Sequence, residues 1–230
     1  MTSTERACEG QDMKHKSSQL LYGYWNTVRG DRIAPRRFDI EPGRLGTVLP
    51  DTFILERRPS GVLAYRLAGT RLCDGLGLDL RGRDFLEGLS LIDKNKLRPH
   101  LDSVVLQGAV LVHTIEIENS AGAKGTLEIL LLPLTHTRDT IDRFVGCMVW
   151  LSEPIDLKEH KIAARRLLGS QLIWPNGDVE PPVLAQPKHS DPARQAPFLP
   201  HIRNARIVRQ DRRQFRVYDG GLSKQPSDKT

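Results

Sequence analysis

His113 is the polar side chain that the sequence places best for chemistry inside the protein. It stands in an alternating segment in which Leu111, His113, Ile115 and Ile117 share one face. An imidazole among apolar neighbours could ligate haem or hydrogen-bond the polar end of a small ligand. The same pattern fits a core histidine satisfied by a backbone carbonyl or by water. Both interpretations stay open on the sequence alone.

Paired carboxylates are the second candidate for chemistry. Glu116, Glu118 and Glu128 fall on adjacent predicted strands, where they could act as general acids or bases. Strand alternation puts them opposite His113 or at the outer side, which indicates a solvated sheet face near the N-terminal helix. The sequence contains no G-x-S-x-G, H-E-x-x-H or G-x-x-x-x-G-K-[ST] motif. We therefore predict no catalytic residue and no enzymatic activity.

The number and spacing of the cysteines restrict both the cellular compartment and the kind of metal site that we expect. Cys8, Cys73 and Cys147 are an odd number and form no C-x-x-C pair, which argues against a disulfide framework and a thiolate zinc site. The N-terminus lacks the apolar block of a secretory signal, and no apolar run approaches the roughly 20 residues of a membrane-spanning helix. We expect a cytoplasmic protein with no metal site and no membrane insertion.

Positive charge is concentrated towards the C-terminus. Residues 1–159 carry 21 Lys and Arg against 22 Asp and Glu, whereas residues 160–230 carry 13 against 6. The basic tail contains Arg203, Arg206, Arg209, Arg212, Arg213 and Arg216. These arginines could serve solubility, dock on a partner protein, or neutralise the phosphates of nucleic acid.

Proline content marks the domain boundaries. Seven prolines between Pro175 and Pro200 stiffen a stretch that buries too little apolar surface to fold. We therefore predict a disordered N-terminus at 1–16, a folded domain at 17–174, a Pro-rich linker at 175–200 and a disordered basic tail at 201–230.

An amphipathic helix is predicted near the N-terminus. Ser17 or Ser18 can cap its start, and Gly30 stands where it would end. Its apolar stripe consists of Leu20, Leu21, Tyr24, Trp25 and Val28. Such a stripe needs a surface to cover.

The remaining periodicity predicts five short strands joined in hairpins. They are Thr52–Arg57, Val62–Ala68, Val110–Glu118, Thr126–Leu134 and Phe144–Leu151. A glycine-punctuated insert, residues 69–88, follows the second strand, and a longer helix follows it and ends at Gly108, with Pro99 in its first turn or at a kink. This order predicts an α+β fold, with a five-stranded antiparallel sheet and its helices on one face.

Side chains between the insert and the sheet form the predicted interior. This set is Phe53, Leu55, Tyr65, Leu67, Phe85, Leu101, His113 and Leu131. We interpret these residues primarily as core residues and secondarily as the lining of a ligand pocket. Arg71, Arg81 and Arg83 could hold an anionic ligand at the mouth of such a pocket, or form solvated surface.

The order of these elements resembles a PAS domain. The resemblance covers roughly residues 18–152. It rests on Tyr24-Trp25, Arg29-Gly30, Pro35 to Arg37, Ile40 to Pro42, Leu49-Pro50, Tyr65 to Leu72 and Leu80 to Phe85. More narrowly, the chain is similar to small PAS-containing proteins of alphaproteobacteria.

This resemblance implies a bacterial sensory or protein-interaction module. PAS domains hold a small molecule between sheet and insert, or hold nothing and dimerise, often through an N-terminal helix. Cys73 lies where flavin-binding PAS domains place a photoreactive cysteine, but its surroundings do not match, so we expect no flavin. A haem role for His113 needs a second supporting feature that the sequence lacks, so we expect no haem. We expect a non-enzymatic, homodimeric signalling module that acts through other signalling proteins. The alternative is a nucleic-acid-binding regulator that uses the basic tail.

Overall fold

The computed structural model describes residues 13–136 and 140–175. Its helices are α1 (Lys16–Arg29), α2 (Pro42–Leu45), α3 (Thr70–Leu76) and α4 (Leu91–Gln107), with 3₁₀ turns at Arg37–Asp39 and Gly46–Asp51. Its strands are β1 (Thr52–Arg57), β2 (Leu63–Ala68), β3 (Val110–Asn119), β4 (Lys124–Thr135), β5 (Ile141–Trp150) and β6 (Ile162–Ile173).

The strands form one antiparallel sheet in the order β2-β1-β5-β4-β3-β6. The predicted α+β class and antiparallel sheet are confirmed, but the predicted number of strands is wrong. The sixth strand, β6, pairs with β3 from Val110↔Ile173 to Asn119↔Ile162. Its residues come in like pairs, Ala163-Ala164 and Leu167-Leu168, so the period-two alternation that marks a strand is absent.

Helices cover both faces of the sheet, so the prediction of helices on one face is also wrong. α3 and α4 pack over the face that carries Phe53 and Leu131, and α1 packs over the face that carries Ile54 and Leu130. The physical reason lies in the run from Ile129 to Leu132, which is apolar on both sides of the strand and fully or almost fully buried. A strand of this kind needs cover on both faces.

The helix ends are set by local capping. His15 caps α1 by accepting a hydrogen bond from the Ser17 N–H at 3.1 Å, a role that was predicted for a serine. Ser90 caps α4 by accepting from the Asp93 N–H, and Gly108 ends α4 in the left-handed region at φ 71°. Pro99 lies in the interior of α4 and not in its first turn.

The folded part begins no later than Met13, ahead of the predicted boundary at residue 17. The Met13 side chain is 2% exposed, and the residues that follow it bond to the sheet. Residues 1–12, and the predicted linker and basic tail from residue 176 on, lie outside the described residues. Among the helices of the described ranges, none has the length and apolar character needed to cross a bilayer.

Candidate functional site

Four side-chain rings meet between the sheet and the α3 and α4 side of the domain. We call Phe53, Tyr65, Phe85 and His113 the aromatic cluster. Ring centroids lie 5.4 Å apart for Phe53 and Tyr65, 5.9 Å for Phe53 and Phe85, and 5.9 Å for Tyr65 and Phe85. The Phe85 ring then meets the His113 imidazole edge to face at 5.6 Å. These spacings are those of favourable ring pairs, so the cluster is a packed unit.

His113 is the polar member of the aromatic cluster, and it is buried. The residue is 2% exposed, and its Nδ1 has no hydrogen-bond partner within the part of the chain that the structure describes. Burial, with a smaller contribution from His100, lowers the pKa of His113 to about 3. The imidazole is therefore neutral at physiological pH and offers one N–H and one lone pair.

The chain brings the cluster together from three kinds of segment. β1 and β2 supply Phe53 and Tyr65, and the alternation of β3 turns His113 to the same side of the sheet. Phe85 lies in the loop between α3 and α4, bounded by Gly82 and Gly88, each at φ 81°. The loop is held to the β2 edge, where the Tyr65 N–H donates to the Arg83 carbonyl and the Phe85 N–H donates to the Leu63 carbonyl.

The structure buries the predicted pocket residues with one exception. On the α3 and α4 side it buries Phe53, Leu55, Tyr65, Phe85, Leu101, His113 and Leu131. Leu67 is instead 49% exposed, so the prediction that it lines the interior is wrong. The reason is a β-bulge: Leu55 pairs with Tyr65 and Ile54 with Leu67, which leaves Arg66 as an extra residue that reverses the alternation.

The predicted stripe of α1 covers the sheet of its own chain. Leu21 and Trp25 are almost completely buried, and the Trp25 indole N–H donates to the Pro133 carbonyl at 2.9 Å. Leu20 is 51% exposed, and Tyr24 and Val28 are half-buried. The surface that α1 leaves for another molecule is thus its Leu20 side, and dimerisation through this helix stays a prediction.

The three predicted surface carboxylates have different environments. Glu116 and Glu118 form ion pairs with Arg166 and Lys124 at the sheet surface. Glu128 is 1% exposed and accepts hydrogen bonds from the N–H groups of Lys14 and His15, at 2.7 and 3.1 Å. Its placement on a solvated face is therefore wrong, because the chain ahead of α1 covers it and satisfies both of its oxygens.

The insert arginines do not converge on one anion site. Arg71 pairs with Asp51 at 2.5 Å, and Arg83 pairs with Glu87 at 3.0 Å. Arg81 is exposed and lines a surface depression beside β2. An arginine that the sequence did not single out, Arg165 of β6, lies beside Gly88 and donates to the Glu87 carbonyl at 3.0 Å. It was missed together with its strand.

Asp156, Glu159 and His160 stand close enough to suggest metal ligation. The Asp156 carboxylate already accepts hydrogen bonds from the N–H groups of Lys158 and Glu159, and these bonds lower its pKa. The group is explained as the cap of an exposed turn, and we assign it no ion.

The family to which this geometry belongs follows from comparison with known proteins. The chain matches the profile described as "PAS domain" over residues 13–149, more than half of its length. The chain belongs to the PAS domain family, which confirms the resemblance inferred from the sequence. PAS domains are sensory or signalling modules, and this is the class of the protein. Comparison with curated proteins gave no match.

The solved structures to which the chain is similar include LOV domains. The Rhodobacter sphaeroides LOV protein shares 14% identity at a TM-score of 0.37, over 47% of this chain and 62% of that one. The blue-light photoreceptor Aureochrome1 LOV, in its light state, shares 15% sequence identity at a TM-score of 0.36. The match covers 45% of this chain and 83% of that one. The chain spans less than two thirds of the Rhodobacter protein. At these scores the likeness carries no argument about function.

The interior on the α3 and α4 side is filled by protein side chains. The rings of Phe53, Tyr65 and Phe85 pack against one another, with centroids 5.4 to 5.9 Å apart. Cys73 is half-buried in α3. The expectation that neither flavin nor haem binds stays a prediction.

Proposed function

We propose that this PAS domain is a non-enzymatic sensory module of the cytoplasm that binds one small neutral molecule beside His113 and signals through contacts with other proteins. The unpartnered Nδ1 of His113 is the observation that carries the proposal. A buried polar atom without a hydrogen bond costs roughly 1–3 kcal/mol. A ligand that supplies the missing bond recovers this energy when it binds.

The surroundings of His113 define the class of ligand. The neutral imidazole can donate or accept one hydrogen bond, and Phe53, Phe85 and Tyr65 offer ring faces and edges. A charged group would lose its hydration there without a counter-charge from the cluster. The matching ligand is therefore a neutral, flat molecule of about one ring with a single hydrogen-bonding group.

Phe85 is the side chain whose movement would admit such a molecule. It lies in an irregular loop between two glycines with positive φ, whereas Phe53, Tyr65 and His113 are fixed in strands. Displacement of the Phe85 ring opens the cluster without breaking the sheet. The loop then carries the change to the surface, where Arg81 and Arg83 are exposed.

Homodimerisation through α1 is part of the proposal. Leu20 is its large apolar side chain that faces outward, while Leu21 and Trp25 are used by the core. Multi-angle light scattering of the full chain at tens of micromolar should give the dimer mass. Leu20→Glu should give the monomer mass with an unchanged melting temperature, and a wild-type monomer would contradict this part.

Extraction of the bound molecule tests the ligand. The full chain is purified from its native host and unfolded, and the released small molecules are measured by mass spectrometry. We expect one neutral compound in near-stoichiometric amount from the wild type and from His160→Phe, a control on the loop between β5 and β6. His113→Phe should release little of it. Equal release from all three proteins, or none, would contradict the proposal.

A further inference from the structure

The face of the β1–β2 hairpin that α1 leaves uncovered carries two adjoining depressions. Their volumes are about 400 and 360 Å³, and both are lined by Arg37, Ile54 and Leu67. We call the pair the hairpin groove. Its larger part lies on the opposite side of the sheet from the aromatic cluster, because Ile54 and Phe53 alternate along β1. Its smaller part lies at the β2 edge, where Tyr65 and Gly82 also line it.

The larger part of the hairpin groove is apolar and exposed to solvent. Leu45, Leu49, Ile54 and Leu67 contribute to its wall. Leu49 is 38% exposed and Leu67 is 49% exposed. The bulge in β2 is what turns Leu67 outward, so an apolar side chain is held at the surface by backbone geometry. Leu49 and Leu67 are thus the apolar side chains that this part of the groove offers to a partner.

The smaller part of the hairpin groove is strongly basic. It is lined by Arg37, Arg58, Arg66 and Arg81, against the single acid Glu56. Glu56 is already engaged, since it lies 3.1 Å from the Arg66 guanidinium. Arg37 and Arg81 form no ion pair within the described part of the chain. Their guanidinium groups are therefore free to bind carboxylates.

The backbone at this edge of the sheet is already paired. The Gly82 N–H donates to the Tyr65 carbonyl, and the Tyr65 N–H donates to the Arg83 carbonyl. A partner strand cannot add to β2 along this stretch. Recognition here must proceed through side chains, as when an amphipathic helix lays its apolar face in a groove.

We propose that the hairpin groove binds an acidic amphipathic helix of a partner protein, with apolar side chains against Leu49 and Leu67 and carboxylates against Arg37 and Arg81. A second copy of this chain fits poorly, because a two-fold contact would place these arginines against one another. Nucleic acid would satisfy the arginines but leave the leucines against a polar backbone. The inference deepens the proposed function by naming the surface through which it signals.

Titration of the full chain with defined peptides tests this inference. The probe is an 18-residue helical peptide with Leu at i, i+3, i+4 and i+7 and flanking Glu; a control peptide carries Lys in place of Glu. We expect the Glu peptide to shift the amide NMR signals of Leu49, Leu67 and Arg81, and to bind more weakly in high salt. Absence of these shifts, equal binding of the Lys peptide, or displacement by duplex DNA at equal concentration would overturn the proposal.

Two groups of variants separate the contribution of charge to peptide binding from the contribution of apolar packing. The double variant Arg37→Glu with Arg81→Glu should weaken binding of the Glu peptide by tenfold or more. Leu67→Gln should weaken this binding several-fold. The control Arg98→Glu, at an exposed position of α4, should leave binding unchanged. The groove would be contradicted if Arg98→Glu lost peptide binding. It would also be contradicted if the Arg37/Arg81 double variant and Leu67→Gln bound the peptide as tightly as the wild type.

The two proposals fail separately. Ligand release from Arg37→Glu alone should equal that of the wild type, because Arg37 lies in the 3₁₀ turn before α2 and outside the loop that carries Phe85. If the wild type releases a ligand but does not bind the Glu peptide, only the proposal for the hairpin groove is overturned. If it binds the Glu peptide but releases no ligand, only the proposal for the His113 site is overturned.

Discussion

Phe85 presents its ring to the His113 imidazole edge to face, with the two planes at 87° and the centroids 5.6 Å apart. One ring comes from an irregular loop and the other from the second strand in from the sheet edge. The contact joins the loop that carries Phe85 to the strand that carries His113.

The burial of His113 predicts a pH dependence of folding. Its pKa is about 3 in the folded protein against an ordinary 6.5. Between these values the unfolded chain binds a proton that the folded chain does not, so the free energy of unfolding rises with pH. His113 contributes a slope of up to about 1.4 kcal/mol per pH unit in this window, and its contribution is fully present above pH 6.5.

Urea unfolding at pH 5 and pH 7 measures this slope. His113→Phe should show a clearly smaller loss of stability on acidification than the wild type, and His160→Phe should show the wild-type loss. The same loss in all three proteins would place the titrating group elsewhere.

Gly146 of β5 tests the packing beneath the aromatic cluster. A Cβ at this position would collide with the Phe53 ring and with the Leu130 carbonyl, which the pairing of β4 with β5 holds in place. Gly146→Ala should lower the free energy of unfolding by roughly 2 kcal/mol or more. Gly169→Ala in β6 is the matched control, since nothing lies within 4 Å of its Cβ. If the guanidinium unfolding curves of the two variants coincide, Gly146 does not lie as close to Leu130 and Phe53 as the structure has it.

Glu128 is expected to anchor the start of the chain to the sheet. Glu128→Leu leaves the N–H groups of Lys14 and His15 without acceptors, at a cost of about 2–4 kcal/mol. Hydrogen exchange at these two amides should accelerate strongly. Glu118→Gln, which removes only an exposed pair with Lys124, should cost less than about 1 kcal/mol. Slow exchange in Glu128→Leu would contradict the anchor.

Trp25 is expected to be a core residue and not a dimer contact. Trp25→Ala removes a fully buried side chain and its hydrogen bond to Pro133, at a cost of about 3–5 kcal/mol. Leu20→Ala, at an exposed position of the same helix, should cost less than about 1 kcal/mol. Thermal unfolding compares the two variants. A stable Trp25→Ala protein that is merely monomeric would reverse this assignment.

Local patterns predicted much of the fold, because they are set by residues close in sequence. β-branched and aromatic content, with turn residues between the segments, located β1 to β5 to within a few residues. Alternation along β3 placed His113 on the correct face. The order of the elements, together with motifs such as Tyr65 to Leu72, was enough to indicate the family.

The failures arise where distant segments decide the outcome. The bulge at Arg66 depends on pairing with β1, so Leu67 could not be oriented from its own neighbours. Glu128 looks solvated until the chain ahead of α1 supplies its donors. β6 lacks alternation and is defined by its pairing with β3. Hydrogen bonds across long sequence separations carry no local signature.

The most direct test of the His113 site is NMR of the full chain carrying ¹⁵N-labelled histidine. The chain is purified from its native host and observed as isolated, and again after unfolding, dialysis and refolding. We predict that His113 Nδ1 has a hydrogen-bonded chemical shift as isolated and an unbonded shift after the ligand is removed, and that the released fraction restores the first value. Identical His113 signals before and after removal would contradict a ligand at this site.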